Sequence, residues 1–138
     1  MPDWLTIHII GLILVAAVFG GMLFFAALFT PLVFRKLPRD TAAAFLRDVF
    51  PAYYRVMGIA SLVAALPLGL AQGYKPEVAM MVAVAAGFVI ANTVIRPRIE
   101  RAREDGRDAR FKTLHRTSVI LNLCQFVLVT IVLIRLAQ

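Results

Sequence analysis

Four side chains near the C-terminal end, His115, Ser118, Asn122 and Gln125, fall at offsets 0, 3, 7 and 10 and so lie along one stripe of a helix. Asn92 and Arg96 stand four apart and share a face of another helix, with Arg98 two residues further on. Imidazole, hydroxyl, carboxamide and guanidinium groups brought together can hold an anionic group, seat a lipid headgroup, or pass a proton or small ion. They can equally serve to tie two helices together, because interhelical hydrogen bonds in a membrane contribute about 0.6–2 kcal/mol each. His8 is a separate case, an imidazole inside a long apolar run that either hydrogen-bonds near a helix end or ligates a metal or haem. The C-terminal cluster is a poor metal site, since one histidine without nearby carboxylates or thiolates falls short of a ligand set. The single cysteine, Cys124, excludes an internal disulfide and a thiolate metal cluster.

The elements that position these groups are apolar. The 138-residue chain is 61% hydrophobic, far above the roughly 45–50% of soluble domains, and its mean hydropathy is +0.82. From Trp4 to Phe34 about 31 residues pass with His8 as the one ionisable group, where roughly 20 span hydrocarbon. Three further runs, Val56 to Tyr74, Val78 to Ile95 and Thr117 to Ile134, are each about long enough to cross. The reading is an all-α integral membrane four-helix bundle with spans over about 4–34, 52–74, 76–105 and 109–136, the third with a cytoplasmic extension. The first span reads as retained, being too long for a cleavable signal and led by Asp3 instead of a basic cluster.

Charge sets the orientation. The formal net charge is +7, and thirteen of the fifteen basic residues fall in the two long connectors, Arg35 to Arg55 and Arg96 to Arg116. Under the positive-inside rule both connectors face the cytoplasm and both termini lie on the extracytoplasmic side of an inner (plasma) membrane. The basic surplus then serves topology and anionic lipid headgroups, with no nucleic-acid partner.

Within the spans, Trp4 is placed as an interfacial anchor, and the length of span one requires it to tilt or to end near Pro31. Small residues Ala16 and Gly20 on span one, and Ala79, Ala83, Gly87 and Ala91 on span three, form faces on which another helix can approach closely, and a homodimer is the expected assembly. In the first connector Asp40 is expected to cap a short amphipathic helix ending at Phe50, bounded by Pro38 and Pro51. With Arg47 and Asp48 facing away, it would lie in the headgroup plane. Tyr53 and Tyr54 are expected as interfacial anchors, Pro67 as the site of a kink, Gly106 as a helix end and Asp108 as the cap of the last helix.

Several short motifs, in order, carry a resemblance. His8, Phe34-Arg-Lys-Leu-Pro38, Phe50-Pro-Ala-Tyr-Tyr54, Asn92 with Arg96-Pro97-Arg98, and Phe111-Lys-Thr-Leu-His-Arg-Thr-Ser118 with Asn122 resemble the transmembrane-protein-205-like family over almost the whole chain. The resemblance implies a four-span helical protein without a settled activity. His8 and its glycine-bearing surroundings are also similar, more faintly, to the copper-resistance-D and HemJ-type membrane proteins, and that likeness implies haem as a cofactor. His8 and His115 belong to opposite ends of the bundle, on the order of 30 Å apart, so they cannot both ligate one haem iron within a chain.

These residues leave three functional classes: an oligomeric structural or interaction protein with a cytoplasm-facing polar seam, a carrier or channel-like protein for a small anionic or ionic substrate, and a haem-associated redox protein. The sequence holds no serine–histidine–carboxylate set, no HExxH and no phosphate-cradling glycine loop, so it points away from an enzyme.

Overall fold

A computed structural model describes residues 3–138; the Trp4 side chain, and with it the expected interfacial anchor, lies outside the described residues. Four helical rods, Leu5–Lys36, Arg39–Leu70, Lys75–Glu104 and Asp108–Ala137, are each long and apolar enough to cross a membrane, and no strand occurs among the described residues. The chain is a multi-pass helical membrane protein.

The first rod is built from α1 (Asp3–Phe24), a π-helical turn (Phe25–Phe29) and α2 (Thr30–Lys36), and the second is α3 (Arg39–Leu70). The third repeats the pattern of the first, with α4 (Lys75–Ile90), a π-helical turn (Ala91–Ile95) and α5 (Arg96–Glu104), and the fourth is α6 (Asp108–Ala137). Each π turn ends two positions before a proline. Pro31 and Pro97 cannot donate to the carbonyl four residues back, and their rings press against it. The preceding residue instead bonds five back, Thr30 N–H to Phe25 O and Arg96 N–H to Ala91 O, which widens the turn and carries the helix past the proline. Span one therefore neither stops nor breaks at Pro31.

The first connector departs from expectation. The segment from Asp40 to Phe50 is helical, but it is continuous with the second span and α3 runs unbroken through Pro51 and Pro67. Tertiary contact is the cause: Ala42 and Leu46 are buried against Val33 of α2, flanked by Phe29 and Phe50, which holds the amphipathic segment in line with the span. Neither Asp40 nor Asp108 caps its helix through its side chain. Both lie in the first turn, behind Pro38 and Arg107, where a carboxylate suits the positive end of the helix dipole. Gly106 does end α5. At φ +66° it allows Arg107 N–H to reach Ala102 O (2.8 Å) and its own N–H to reach Arg103 O (3.2 Å), the paired bonds of a Schellman motif.

Away from the basic connectors the four rods close a ring in the order α1, α3, α4, α6. Its core is Val15, Val18 and Met22, then Ala64, Ala65 and Leu68, then Met81, Val84 and Phe88, then Val129, Val132 and Leu136. Outside it the solubility pattern is inverted: on α3, Leu70 is 76% exposed and Ile59 63%, while Ser61 is fully buried. That is the arrangement of a bundle facing hydrocarbon. At the basic end the ring opens, because α2 packs on α3 and α5 on α6, with no close approach between α3 and α5 or between α2 and α6. Two helical hairpins splay apart there.

The packing faces are partly other than expected. Gly87 and Ala91 are buried, but Ala79 and Ala83 on the same stripe are exposed, as are Ala16 and Gly20. On α1 it is Gly11 and Gly21 that admit neighbours: a Cβ there would lie 2.8 Å from Leu68 and 2.9 Å from Met57, whereas one at Gly20 would meet nothing within 4 Å. Residue spacing defines a stripe of small residues without saying which of the neighbouring stripes meets protein.

Candidate functional site

Between the splayed hairpins lies a cavity of about 460 Å³, within the roughly 300–1,000 Å³ of ordinary ligand pockets. The first rod gives it Phe25, Thr30 and Phe34, and α3 gives Leu46, Arg47, Phe50, Tyr53 and Tyr54. Arg96, Glu100 and Arg103 enter from α5, with Phe111, His115, Ser118 and Asn122 from α6. Six Phe and Tyr side chains line it, and its charge comes from Arg47 on α3 and from Arg96, Glu100 and Arg103 on α5 beyond the second π turn.

The structure brings together most of the polar groups picked out by spacing. Arg96 Nε donates to Asn92 Oδ1 at 3.1 Å, and Arg96 Nη1 pairs with Glu100 Oε1 at 3.3 Å, so the guanidinium is held along α5 at the cavity wall. Ser118 and Arg96 face the Tyr54 hydroxyl across the space. His115 stacks on Phe111, their ring planes 3° apart and centroids 6.1 Å apart, near the opening. Two expected members are elsewhere. Arg98 is exposed and does not line the cavity. Gln125 is buried in the helix core, where Nε2 donates to Val84 O at 2.8 Å across the α4–α6 contact. Gly87 makes that bond possible, since a Cβ there would sit 2.6 Å from Gln125 Nε2.

Spacing does not identify Arg47, Tyr53, Thr30, Glu100 or Arg103 as site residues. It turns Arg47 away and sets Tyr53 and Tyr54 as interfacial anchors, yet all three line the cavity, because α3 continues through Pro51 instead of ending there. The usable signal lies in Ala42, Leu46 and Phe50 at a spacing of four, whose packing on α2 fixes the phase of α3 and turns Arg47 and Tyr54, seven residues apart, to one side. Tyr53 is clamped by Phe25, stacked at 3.9 Å between centroids and 12° between planes, and by the edge of Phe88 at 5.9 Å. Its hydroxyl oxygen and Asn122 Oδ1 are buried with no hydrogen-bond partner among the described residues. Unpaired groups of this kind cost about 1–3 kcal/mol each.

At the opposite end the polar groups pair with one another. His8 Nδ1 lies 2.8 Å from Tyr74 Oη, with the rings tilted at 5.7 Å, so the imidazole binds the first rod to the turn before α4. Glu77, 3% exposed, is paired through Oε1 with Arg135 Nε, while its Oε2 is buried without a partner among the described residues. The two sit in the first turn of α4 and the last turn of α6, each at the helix end whose dipole favours its charge. Spacing alone passes over this pair; its signal is the matching depth of the charges flanking spans three and four. Among the described residues no three His, Cys, Asp or Glu side chains come together as a metal-ligand group.

A family model described as a domain of unknown function (DUF4149) matches residues 13–108, from the middle of α1 to the first residue of α6. No curated protein and no solved structure matches the chain. The match extends to neither the transmembrane-protein-205-like nor the HemJ-type name.

Proposed function

Taking as premise that the chain belongs to the family described as a domain of unknown function (DUF4149), we propose that it is a membrane-embedded binding protein, a carrier or receptor, for an amphipathic anion held in the basic-end cavity. The observation that carries this reading is a cavity that sets Arg47, Arg96 and Arg103 against the one carboxylate of Glu100, and whose lining residues hold two of the three buried side-chain atoms without partners among the described residues, Tyr53 Oη and Asn122 Oδ1, the third being Glu77 Oε2 at the opposite end. A purely structural polar seam would pair its own groups, as Gln125 and His8 do. Aromatic walls supply stacking and apolar contact for a hydrocarbon or ring system, and the guanidiniums supply charge-assisted hydrogen bonds to an acidic head.

Thirteen of fifteen basic residues lie at this end, which supports a cytoplasmic opening in an inner (plasma) membrane with both termini on the extracytoplasmic side. The transmembrane-protein-205-like motifs support the same reading of the site, for Asn92, Arg96, His115, Ser118 and Asn122 all fall in or beside the cavity. A homodimer is a second element of the proposal. The open face at Ala16 and Gly20 supports it, since a helix backbone could approach there without displacing any side chain.

The test is binding of oleate against its uncharged alcohol analogue to protein in neutral detergent, followed by thermal shift. Oleate should raise the unfolding midpoint with the wild type and fail to do so with Arg96→Gln. Equal shifts from the acid and the alcohol, or an unchanged oleate shift in Arg96→Gln, would reject the anion site.

A further inference from the structure

Building on the cavity reading, we infer that its ligand class is a single-chain lipid with a phosphomonoester head and a free hydroxyl, as in a monoacylglycerol phosphate. Charge decides the head. Three guanidiniums, those of Arg47, Arg96 and Arg103, share the cavity with one carboxylate, Glu100, and that carboxylate is committed to Arg96 at 3.3 Å. Two positive charges are left over, on Arg47 and Arg103. A carboxylate or phosphodiester head brings a single negative charge and leaves one arginine uncompensated, whereas a phosphomonoester carries about 1.5–2 negative charges at neutral pH. Its oxygens also suit the planar donor forks of two arginines better than a single carboxylate does.

The deeper polar atoms decide the linkage between head and chain. Among the described residues Tyr53 Oη has no acceptor for its hydrogen, and the Asn122 carboxamide oxygen has no donor. Both atoms are closed off from the cavity, so a ligand must part the side chains over them; an ester carbonyl then satisfies the first and a free hydroxyl the second. A monoacylglycerol phosphate offers both within a few bonds of its phosphate, while a free fatty acid offers neither and a diacyl lipid has lost the hydroxyl. The size of the cavity, about 460 Å³, is in the lower half of the pocket range, which favours one chain over two. Phe25, Phe34 and Phe50 provide the apolar wall for that chain.

Native mass spectrometry and thermal shift of the full chain in neutral detergent would test this with five probes: monooleoylglycerol phosphate, dioleoylglycerol phosphate, oleate, monooleoylglycerol phosphocholine and inorganic phosphate. Monooleoylglycerol phosphate should bind about tenfold or more tightly than each of the others, the equivalent of one charge-assisted hydrogen bond. In the Arg47→Gln/Arg103→Gln variant that advantage over oleate should vanish, while the unliganded unfolding midpoint stays near that of the wild type. If oleate matches monooleoylglycerol phosphate, the phosphomonoester head is wrong but the amphipathic-anion site survives. If the diacyl lipid matches it, the single chain and the free hydroxyl are wrong. Inorganic phosphate binding as tightly would show an adventitious ion site and overturn the lipid, and failure of every amphiphile would overturn the cavity reading itself.

Discussion

Gly87→Ala should destabilise the bundle, and the sign of its effect should reverse when Gln125 is also shortened. An added Cβ would stand 2.6 Å from Gln125 Nε2, 3.0 Å from Cδ and 3.2 Å from Cγ, so the obstruction reaches along the side chain and is not confined to its tip. Gln125 is 3% exposed and has its amide committed to Val84 O at 2.8 Å. To make room it must abandon that bond, worth about 0.6–1.7 kcal/mol between membrane helices, and leave a buried amide unpaired at about 1–3 kcal/mol. The opposing term is the intrinsic preference for alanine over glycine in a helix interior, at most about 1 kcal/mol. The net expectation is a loss of about 1–3 kcal/mol in Gly87→Ala. In a Gln125→Ala background the obstruction is gone, and the same substitution should be neutral or stabilising by up to about 1 kcal/mol. Reversible unfolding of the four proteins in detergent gives the coupling energy of the cycle. Additivity within about 0.5 kcal/mol would show that Gln125 does not rest on Gly87.

Tyr53→Phe removes a buried hydroxyl that has no partner among the described residues, so unliganded protein should become about 1 kcal/mol more stable while binding of an anionic amphiphile weakens; a loss of stability without ligand would mean that the hydroxyl is paired after all. Arg135→Leu strands Glu77 as a buried carboxylate and should cost about 1–3 kcal/mol, softened by the half-exposed position of Arg135, and adding Glu77→Leu should recover most of it. A double variant no more stable than Arg135→Leu alone would contradict the pairing. Gly20→Leu should leave the midpoint unchanged, because nothing lies within 4 Å, yet abolish the crosslinked dimer; an intact dimer would move the interface elsewhere. A cysteine placed at Arg107 should react with an impermeant maleimide in inverted vesicles but not in intact cells, and labelling in intact cells would reverse the proposed orientation.

Hydropathy and charge make the four rods legible, and helical spacing alone marks Arg96, His115, Ser118 and Asn122 as neighbours. What spacing loses, it loses for identifiable reasons. A stripe at offsets 0, 3, 7 and 10 also runs along the helix axis, so its last member, Gln125, lies about 10 Å deeper than Ser118, past the cavity, and faces the gap left by Gly87 on α4. Pro51 carries a local signal for a helix end, and that signal is overridden by the burial of Ala42 and Leu46 on α2, a contact distant enough that local propensity does not register it. Small residues at a period of four mark a possible contact but not its direction, which is why spacing selects Gly20 and Ala83 while the close approaches occur at Gly11 and Gly21.

Each π turn amounts to a one-residue insertion in an otherwise regular helix, and its effect is a phase error of about 100° that everything downstream inherits. In an uninterrupted α-helix Phe88, Ile95 and Ala102, spaced by sevens, would all point toward the same neighbour. With the extra residue absorbed between Ala91 and Ile95, the rod packs on both α3 and α6 before the turn and on α6 without α3 after it. The first rod undergoes the same slip between Phe25 and Phe29. Removing one residue from each turn would bring the halves of both rods back into phase without changing any wall residue, and the hairpins could then zip shut along their full length. The space between them is in this sense written as a frame of two surplus residues, one in each half of the chain.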